Sequence, residues 1–353
     1  MRIAFVVNDI QTEYTDYTTT HLALTAMNQE HDVYYINVGD FALDPENHTY
    51  AHAIVVPKKH HRSSMVFLQE LQKISTTQRI SVNDLDVLML RNDPSQDATA
   101  RPWARRAAIN FGRYATQHDI LVLNDPNGLD RAFTKLYYKS LPKWVYPRTL
   151  ITRDKEDVKS FVTNEGGYAI LKPLFSSGGR GVFVVRPQDE PNLNQMVEAI
   201  VRDGYIIAQE FLPEGINGDT RLFVLNGEPL RCKGRIAAIH RQRAQGDLDI
   251  RSNMSAGAIA VKAEVNDQMI ALADAVKPFL IENGIFFAGL DIVDDKILEI
   301  NLLSPGGMDS ASKLEGVNFF ATVIQAIENK VDYLQSHTGN FDNVQIATLQ
   351  TSI

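Results

Sequence analysis

One cysteine, Cys232, stands among 353 residues. An intrachain disulfide and a thiolate metal cluster are thereby excluded, and nothing points to an oxidising compartment. Long apolar runs are missing as well. The stretch at residues 3–7 ends at Asn8-Asp9, too short for a signal-peptide core, and reads as a first strand. Nowhere do roughly 18 apolar residues follow one another, the length that a membrane-crossing helix needs. Positive charge is not in excess: the formal net charge is −8, which argues against non-specific binding to nucleic acid or to an acidic membrane. What remains is a cytoplasmic protein with a small-molecule partner. No internal repeat or biased tract is present, and 44% apolar with 22% charged residues is an ordinary globular composition. The length suits two or three lobes, since single domains usually run about 100 to 200 residues.

Strand-like apolar runs at 3–7, 33–38, 87–90 and 120–123 alternate with helical patterns at 21–29 and 104–118. This alternation predicts an α/β lobe around a largely parallel sheet. The prolines at Pro142 and Pro147 mark a connector. A smaller α+β unit follows, with helices near 155–163 and 193–202 and strands at 168–172 and 182–185. The remainder is rich in strands: 206–210, 220–225 up to an Asn226-Gly227 hairpin signal, 286–292 and 296–302, with a helix near 268–282 between them. Residues 239–252 are polar and arginine-rich without periodicity, and so read as a long lid-like loop. The end of the chain carries no clear pattern. The expected lobes are 1–125, 126–205 and 206–335, with a tail at 336–353.

Three stretches carry chemistry. In the first, GLDIVDDKILEIN at 289–301, a turn at 294–296 places Asp291 opposite Glu299. Strand alternation then puts Glu299 and Asn301 on one face. Two carboxylates and a carboxamide converge, a set of oxygen ligands suited to Mg²⁺ carrying phosphates. A half-exposed hairpin with a solvated polar face fits the same residues. In the second, Lys172 lies mid-strand ahead of the glycine-rich segment 173–181. Backbone N–H groups of such a loop can approach phosphate oxygens, with the lysine as a point charge, although no Gly-Lys-Ser/Thr ends it and an ordinary turn also fits. In the third, Gln209, Glu210, Phe211 and Leu212 end an apolar strand, where backbone groups and apolar contact suit a purine. A strand running into a turn is the alternative. Arg221, Arg235, Arg241, Arg243 and Arg251 follow, arginine being suited to gripping carboxylate or phosphoryl oxygens at two points.

The order of these segments, from LMLRNDP at 88–94 and LNDPNGLDRAFTKL at 123–136 through ILKPLFSSGGRGVF, GRIAAI and RSNMSAG to EINLLSP, resembles the ATP-grasp superfamily, and within it bacterial glutathione synthetase. The resemblance runs to about Lys330. It implies an α/β chain with α+β lobes: an N-terminal parallel-sheet lobe, a small central lobe and a C-terminal antiparallel-sheet lobe, with ATP between the last two. By resemblance, Lys135 and Lys172 contact phosphates, and Ser177, Gly178, Gly179 and Gly181 cover them. Gln209, Glu210, Phe211 and Leu212 hold adenine, and Asp219 is a further nucleotide contact. Asp291, Glu299 and Asn301 match the ligands of Mg²⁺, with Mn²⁺ as a second candidate. Arg221 and Arg235 match arginines at the reacting groups, while Arg91, Arg251, Asn253 and Ser304 fall in substrate-lining segments. The implied reaction is an ADP-forming ligation of a carboxylate to an amine through an acyl phosphate, and the family suggests a homo-oligomer.

Two segments depart from the family pattern. Ser304-Pro305-Gly306-Gly307-Met308-Asp309-Ser310 replaces a Ser-Pro-Thr-small-Ile-Arg-Glu type segment, so that an arginine position has become acidic. The lid is longer and carries His240, Arg241 and Arg243, and Asn253 leads into Met254-Ser255-Ala256-Gly257. The nucleotide half keeps the pattern and the acceptor half does not. Three functions therefore stand: a glutathione synthetase-like ligase of γ-glutamylcysteine and glycine or an altered pair; a ligase adding an amino acid such as glutamate to a peptide, protein or small amine; and a catalytically silent nucleotide-binding regulator.

Overall fold

In the computed structural model, which describes residues 1–97, 100–175, 180–202, 204–243, 257–337, 339 and 341–350, the strand Arg2–Val7 lies inside a seven-stranded sheet. Every residue from Ile3 to Val7 is fully buried, because a central parallel strand is covered on both faces and so reads as an unbroken apolar run. It pairs in parallel with Asp32–Asn37 on one side and Val87–Leu90 on the other, and Leu121–Leu123 extends the parallel part. The strands Phe41–Leu43, Thr49–Val55 and Gln78–Ser81 add an antiparallel extension. Sequence periodicity did not reveal these three, since their faces mix buried and exposed residues of both polarities.

A four-stranded antiparallel sheet follows, in the spatial order Phe183–Val185, Ala169–Pro173, Ile206–Glu210, Thr149–Thr152. The helices Lys155–Asn164 and Leu193–Val201 cover it through Val158, Val162, Leu193 and Val197, a core of its own. Ile206–Glu210, expected to open the C-terminal lobe, belongs to this sheet instead. Its residues Ile206, Ile207 and Ala208 are fully buried between Ala169–Pro173 and Thr149–Thr152, so a boundary at 205 would cut the sheet in two.

The third sheet is antiparallel, in the order Ile259–Lys262, Ala238–Gln242, Gly218–Leu225, Phe287–Val293, Lys296–Asn301. Residues 239–242, expected to begin a loop, belong to the inner strand Ala238–Gln242. Ala238 and Ile239 are buried on opposite faces of the strand, in two different apolar clusters, and the backbone N–H and C=O groups pair on both sides, which outweighs the weak apolar pattern. The rest of that expected lid, 244–256, lies outside the described residues. At Gly218 a Cβ would stand 2.1 Å from the Arg241 carbonyl oxygen, and φ is +116°. Glycine is what lets the two strands close at this point. One apolar core joins the first and third sheets, with Phe5, Val7 and Leu22 packed in the same cluster as Phe223, Phe287, Phe319 and Ile324. The tail is not featureless either: helix Asn343–Ala347 docks on the first sheet, with Asn343 bonded to Val122 and Asp125.

Candidate active site

The hairpin of Phe287–Val293 and Lys296–Asn301 turns at Asp294, which takes a φ of +50°. Pairing starts at Val293 with Lys296, one residue tighter than the sequence suggested, and a bulge between Asp291 and Ile292 absorbs the difference. Asp291 therefore still faces Glu299. Glu299 and Asn301 line the cleft, and Lys135 stands 3.1 Å from Glu299.

The segment that carries Lys135 also fixes the strand. Tyr137 receives the Ile300 N–H at 3.0 Å, and the Tyr138 hydroxyl donates to the Leu298 carbonyl. Glu299 is thus clamped from both neighbours. Burial raises both phenols well above the usual tyrosine range, with the Glu299 charge adding to the shift, so that both hydroxyls keep their protons. Nothing in the sequence singled these tyrosines out beyond their closeness to Lys135.

Lys172 is 9% exposed and donates to Gln209 at 2.8 Å. Burial, reinforced by the Lys135 charge, lowers its ammonium to about 7. Gln209 donates in turn to Thr149. An anion between the two lysines would relieve both burial and repulsion. The Glu210 carboxylate is turned away, held by the Arg148 backbone N–H and guanidinium, so only its backbone is left for a purine. Phe211 stacks on Tyr168 with ring centroids 6.0 Å apart, and Leu212 precedes a short 3-10 turn, Pro213–Asn217. Ser177, Gly178 and Gly179 lie outside the described residues, as do Arg251 and Asn253. Gly181 is described, at a φ of +71° beside Pro173. Just ahead of it Arg180 donates to the Ser95 carbonyl and hydroxyl, at 3.0 and 3.1 Å, tying the end of the glycine loop to the N-terminal lobe. That contact escaped the sequence reading because its partner is 85 residues away.

Two arginines converge on Asp291. Arg221 makes a two-point bond with both distances 2.8 Å, and Arg241 approaches at 2.8 Å while gripping Asp219 at 2.6 and 2.5 Å. The paired guanidiniums hold the Asp291 carboxyl well below the usual carboxylate range, against the opposing effect of burial. Arg241, expected in an exposed lid, is 3% exposed. Arg235 needs the opposite correction. Expected at the reacting groups, it sits on the two-stranded hairpin Arg231–Cys232 and Arg235–Ile236, with its side chain 57% exposed and 3.9 Å from Glu315. The hairpin is not part of the third sheet, and the arginine buried against the two carboxylates is Arg241. Ser304 and Arg91 both line the cavity.

Family models for the N-terminal domain and the ATP-grasp domain of prokaryotic glutathione synthetase match residues 1–130 and 134–316. The chain belongs to the prokaryotic glutathione synthetase family. A glutathione synthetase of Vibrio parahaemolyticus is 30% identical over 313 residues, 88% of this chain and 92% of that protein. One of Gloeobacter violaceus is 30% identical over 90% of this chain and 93% of its own length. Among solved structures, D-cycloserine synthetase DcsG aligns with a TM-score of 0.64 at 14% identity, covering 94% of this chain and 99% of that one. The ATP-grasp ligase PsnB with minimal precursor variant, Mg and ADP aligns at 0.59 and 16% identity, covering 93% and 98%. These last two show the ATP-grasp fold. The family match makes the protein an ATP-dependent, ADP-forming carboxylate–amine ligase.

ATP-grasp ligases use ATP with Mg²⁺, and the ligase's donor set fits such an ion. Glu299 and Asn301 face the cleft, Asp291 is directly across the hairpin, and all three offer oxygen. Within Asp291, Oδ1 accepts one guanidinium bond and Oδ2 two, so Oδ1 is the less occupied atom. The acidic replacement in the acceptor segment, Asp309, does not enter the cavity. Buried, it pairs with His21 at 3.4 Å and with Lys313 at 2.6 Å, joining the helices Thr18–Asn28 and Met308–Glu315. Among the described residues no helix is long and apolar enough to cross a membrane.

Proposed function

We propose that the ligase activates a substrate carboxylate with the γ-phosphoryl group of ATP and passes the resulting acyl phosphate to an amine, in the cavity between the N-terminal lobe and the third sheet. The observation that carries this reading is the convergence of Lys135 and Lys172 with Glu299 at one edge of the cleft. Two cations beside the carboxylate of an oxygen-donor set suit a metal-bound triphosphate. Lys172 bonds to Gln209, which lies on the adjacent strand that leads to the backbone of Glu210 to Leu212, an arrangement that would put phosphates and base in one line. Asp291, Glu299 and Asn301 would hold Mg²⁺, or Mn²⁺ in its place, supplying charge neutralisation on the transferring phosphoryl oxygens. Arg221 is placed to steady the acyl phosphate, its guanidinium being fixed by Asp291 and by the Gly306 carbonyl at 3.2 Å. Arg180, just beyond the glycine-rich segment, bonds to Ser95 and so fixes that end of the segment at the N-terminal lobe.

The first pair to test is γ-glutamylcysteine with glycine. A second reading, addition of an amino acid to a peptide or small amine, is favoured by Tyr17, which lines the cavity beside Asp16 and, with its ring neighbour Tyr14, is exposed. Phosphate release from Mg²⁺-ATP across amino acids, γ-glutamyl dipeptides and amines, with mass spectrometry of the products, separates the two. Formation of the tripeptide supports the first pair, and release with another pair alone supports the second. ATP binding with no release from any pair counts against catalysis and for a silent regulator.

A further inference from the structure

The ladder between Phe287–Val293 and Lys296–Asn301 ends where Gly289 pairs with Asn301, and the second strand leaves the sheet there. Phe287 and Ala288 run on past that point, so on this side Phe287 has no strand residue opposite. It is 1% exposed, and a buried backbone N–H and C=O must find partners. Asn124, from the N-terminal lobe, supplies them. Its Oδ1 accepts the Phe287 N–H at 2.8 Å, and its Nδ2 donates to the Phe287 carbonyl at 2.9 Å and to the Leu302 carbonyl at 2.6 Å.

A carboxamide carries the donor and acceptor of a peptide unit and a second N–H besides. One side chain thus closes the open end of the ladder on the first strand and holds the second strand at the residue after Asn301. Asn124 is 5% exposed, and its corner is braced from behind. Asn343 bonds the N–H and C=O of Val122 at 2.9 and 3.0 Å and the Asp125 carboxylate at 2.8 Å. Beyond Leu302 the chain turns into the cavity, where Ser304 lines the wall, Arg91 takes the Pro305 carbonyl and Arg221 the Gly306 carbonyl. The direction of that exit is set at Leu302.

We propose that Asn124 is a positioning residue of the ligase, which acts through the Phe287 and Leu302 backbone to hold the Asn301 side chain beside Glu299, a role that rests on the proposed metal set. An aspartate at this position would turn carboxylate oxygens toward two carbonyls and lose both donors. The donor set would then keep its residues and lose its geometry.

Mn²⁺, standing in for Mg²⁺, is titrated into the full chain with ADP present, and water-proton relaxation reads the metal held on the slowly tumbling protein. Asn124→Asp is expected to raise the half-saturating Mn²⁺ concentration about tenfold or more, the usual effect of losing a group that orients a metal ligand. Asn124→Ser, which keeps a hydroxyl and adds no buried charge, gives a smaller rise and carries the test if Asn124→Asp does not fold. ADP binding in EDTA, measured calorimetrically, stays as in the wild type. Val162→Ala, in the separate core of the four-stranded sheet, lowers Tm and leaves the Mn²⁺ dependence unchanged. A lowered Tm with wild-type Mn²⁺ dependence in the Asn124 variants overturns the proposal, as does an equal shift in Val162→Ala. Glu299→Gln separates the two levels. If it weakens Mn²⁺ binding and the Asn124 variants do not, the positioning role alone falls; if neither does, the metal set falls with it.

Discussion

Arg241 bridges Asp219 and Asp291, two carboxylates on adjacent strands of the third sheet, from a position almost wholly withdrawn from solvent. Arg221 completes the group on the other side of Asp291. Two cations thus balance two anions behind the cleft. The side chain that would touch the metal is held by the same residues that stiffen the sheet.

Removing Arg241 leaves Asp219 buried without its two-point partner. Arg241→Met should lower the unfolding free energy by about 3–5 kcal/mol, the usual cost of breaking a buried pair from one side. Urea denaturation followed by circular dichroism measures it. A loss below about 1 kcal/mol, the range of exposed pairs, would mean that water reaches the network.

Glu299→Gln keeps the shape of the side chain but removes the charge facing Lys135. Turnover should fall by on the order of 100-fold or more, with the Mg²⁺ concentration for half-maximal rate rising. ADP release at stepped Mg²⁺ concentrations gives both quantities. A wild-type Mg²⁺ dependence in this variant would take Glu299 out of the metal site.

Tyr138→Phe deletes the hydroxyl that holds the Leu298 carbonyl, next to Glu299. About 1–2 kcal/mol of stability should go with it. Because the loosened strand misplaces Glu299, kcat should drop while KM for ATP changes little. A KM change at constant kcat would instead mark Tyr138 as part of the nucleotide pocket.

Arg235→Ala is the contrasting case. With its side chain mostly exposed and not among the residues that line the cavity, it should leave kcat/KM within about twofold of wild type, a surface substitution in effect. A loss as large as that of Glu299→Gln would require the hairpin to swing into the cleft during turnover.

Lys330 is fully buried in helix Phe319–Ser336, capped by the Leu349 carbonyl, with its ammonium 5.4 Å from the Phe286 ring centre. Burial outweighs these contacts and lowers the group to about 7 from 10.5. Lys172 shifts the same way. A lysine that is neutral when folded and protonated when unfolded makes stability rise with pH through that window, by on the order of 1 kcal/mol per pH unit for each group. Denaturation between pH 7 and 10 should show this slope. Saturating nucleotide should remove the Lys172 share by restoring its charge, and Lys330→Met the other. A flat profile would mean that both ammonium groups stay charged in the folded protein.

The N-terminal strands, the hairpin pairing of Asp291 with Glu299 and the buried Lys172 were legible along the chain. Each depends on residues close in sequence, where period-two alternation or an unbroken apolar run sets the local conformation. Even the one-residue error in the turn left the pair intact, because the bulge between Asp291 and Ile292 restored the register. Assigning Ile206–Glu210 to a sheet was another matter, since an apolar strand carries no mark of which neighbours it will hydrogen-bond. Arg235 and Arg241 were indistinguishable as letters. Pairing with Gly218–Leu225 turned Arg241 toward two carboxylates and left Arg235 on an outer hairpin. The sequence by itself determined the kinds of groups available and the local elements that carry them. Only the tertiary structure decided which charges meet, because burial, pairing and pKa depend on side chains brought together from distant parts of the chain.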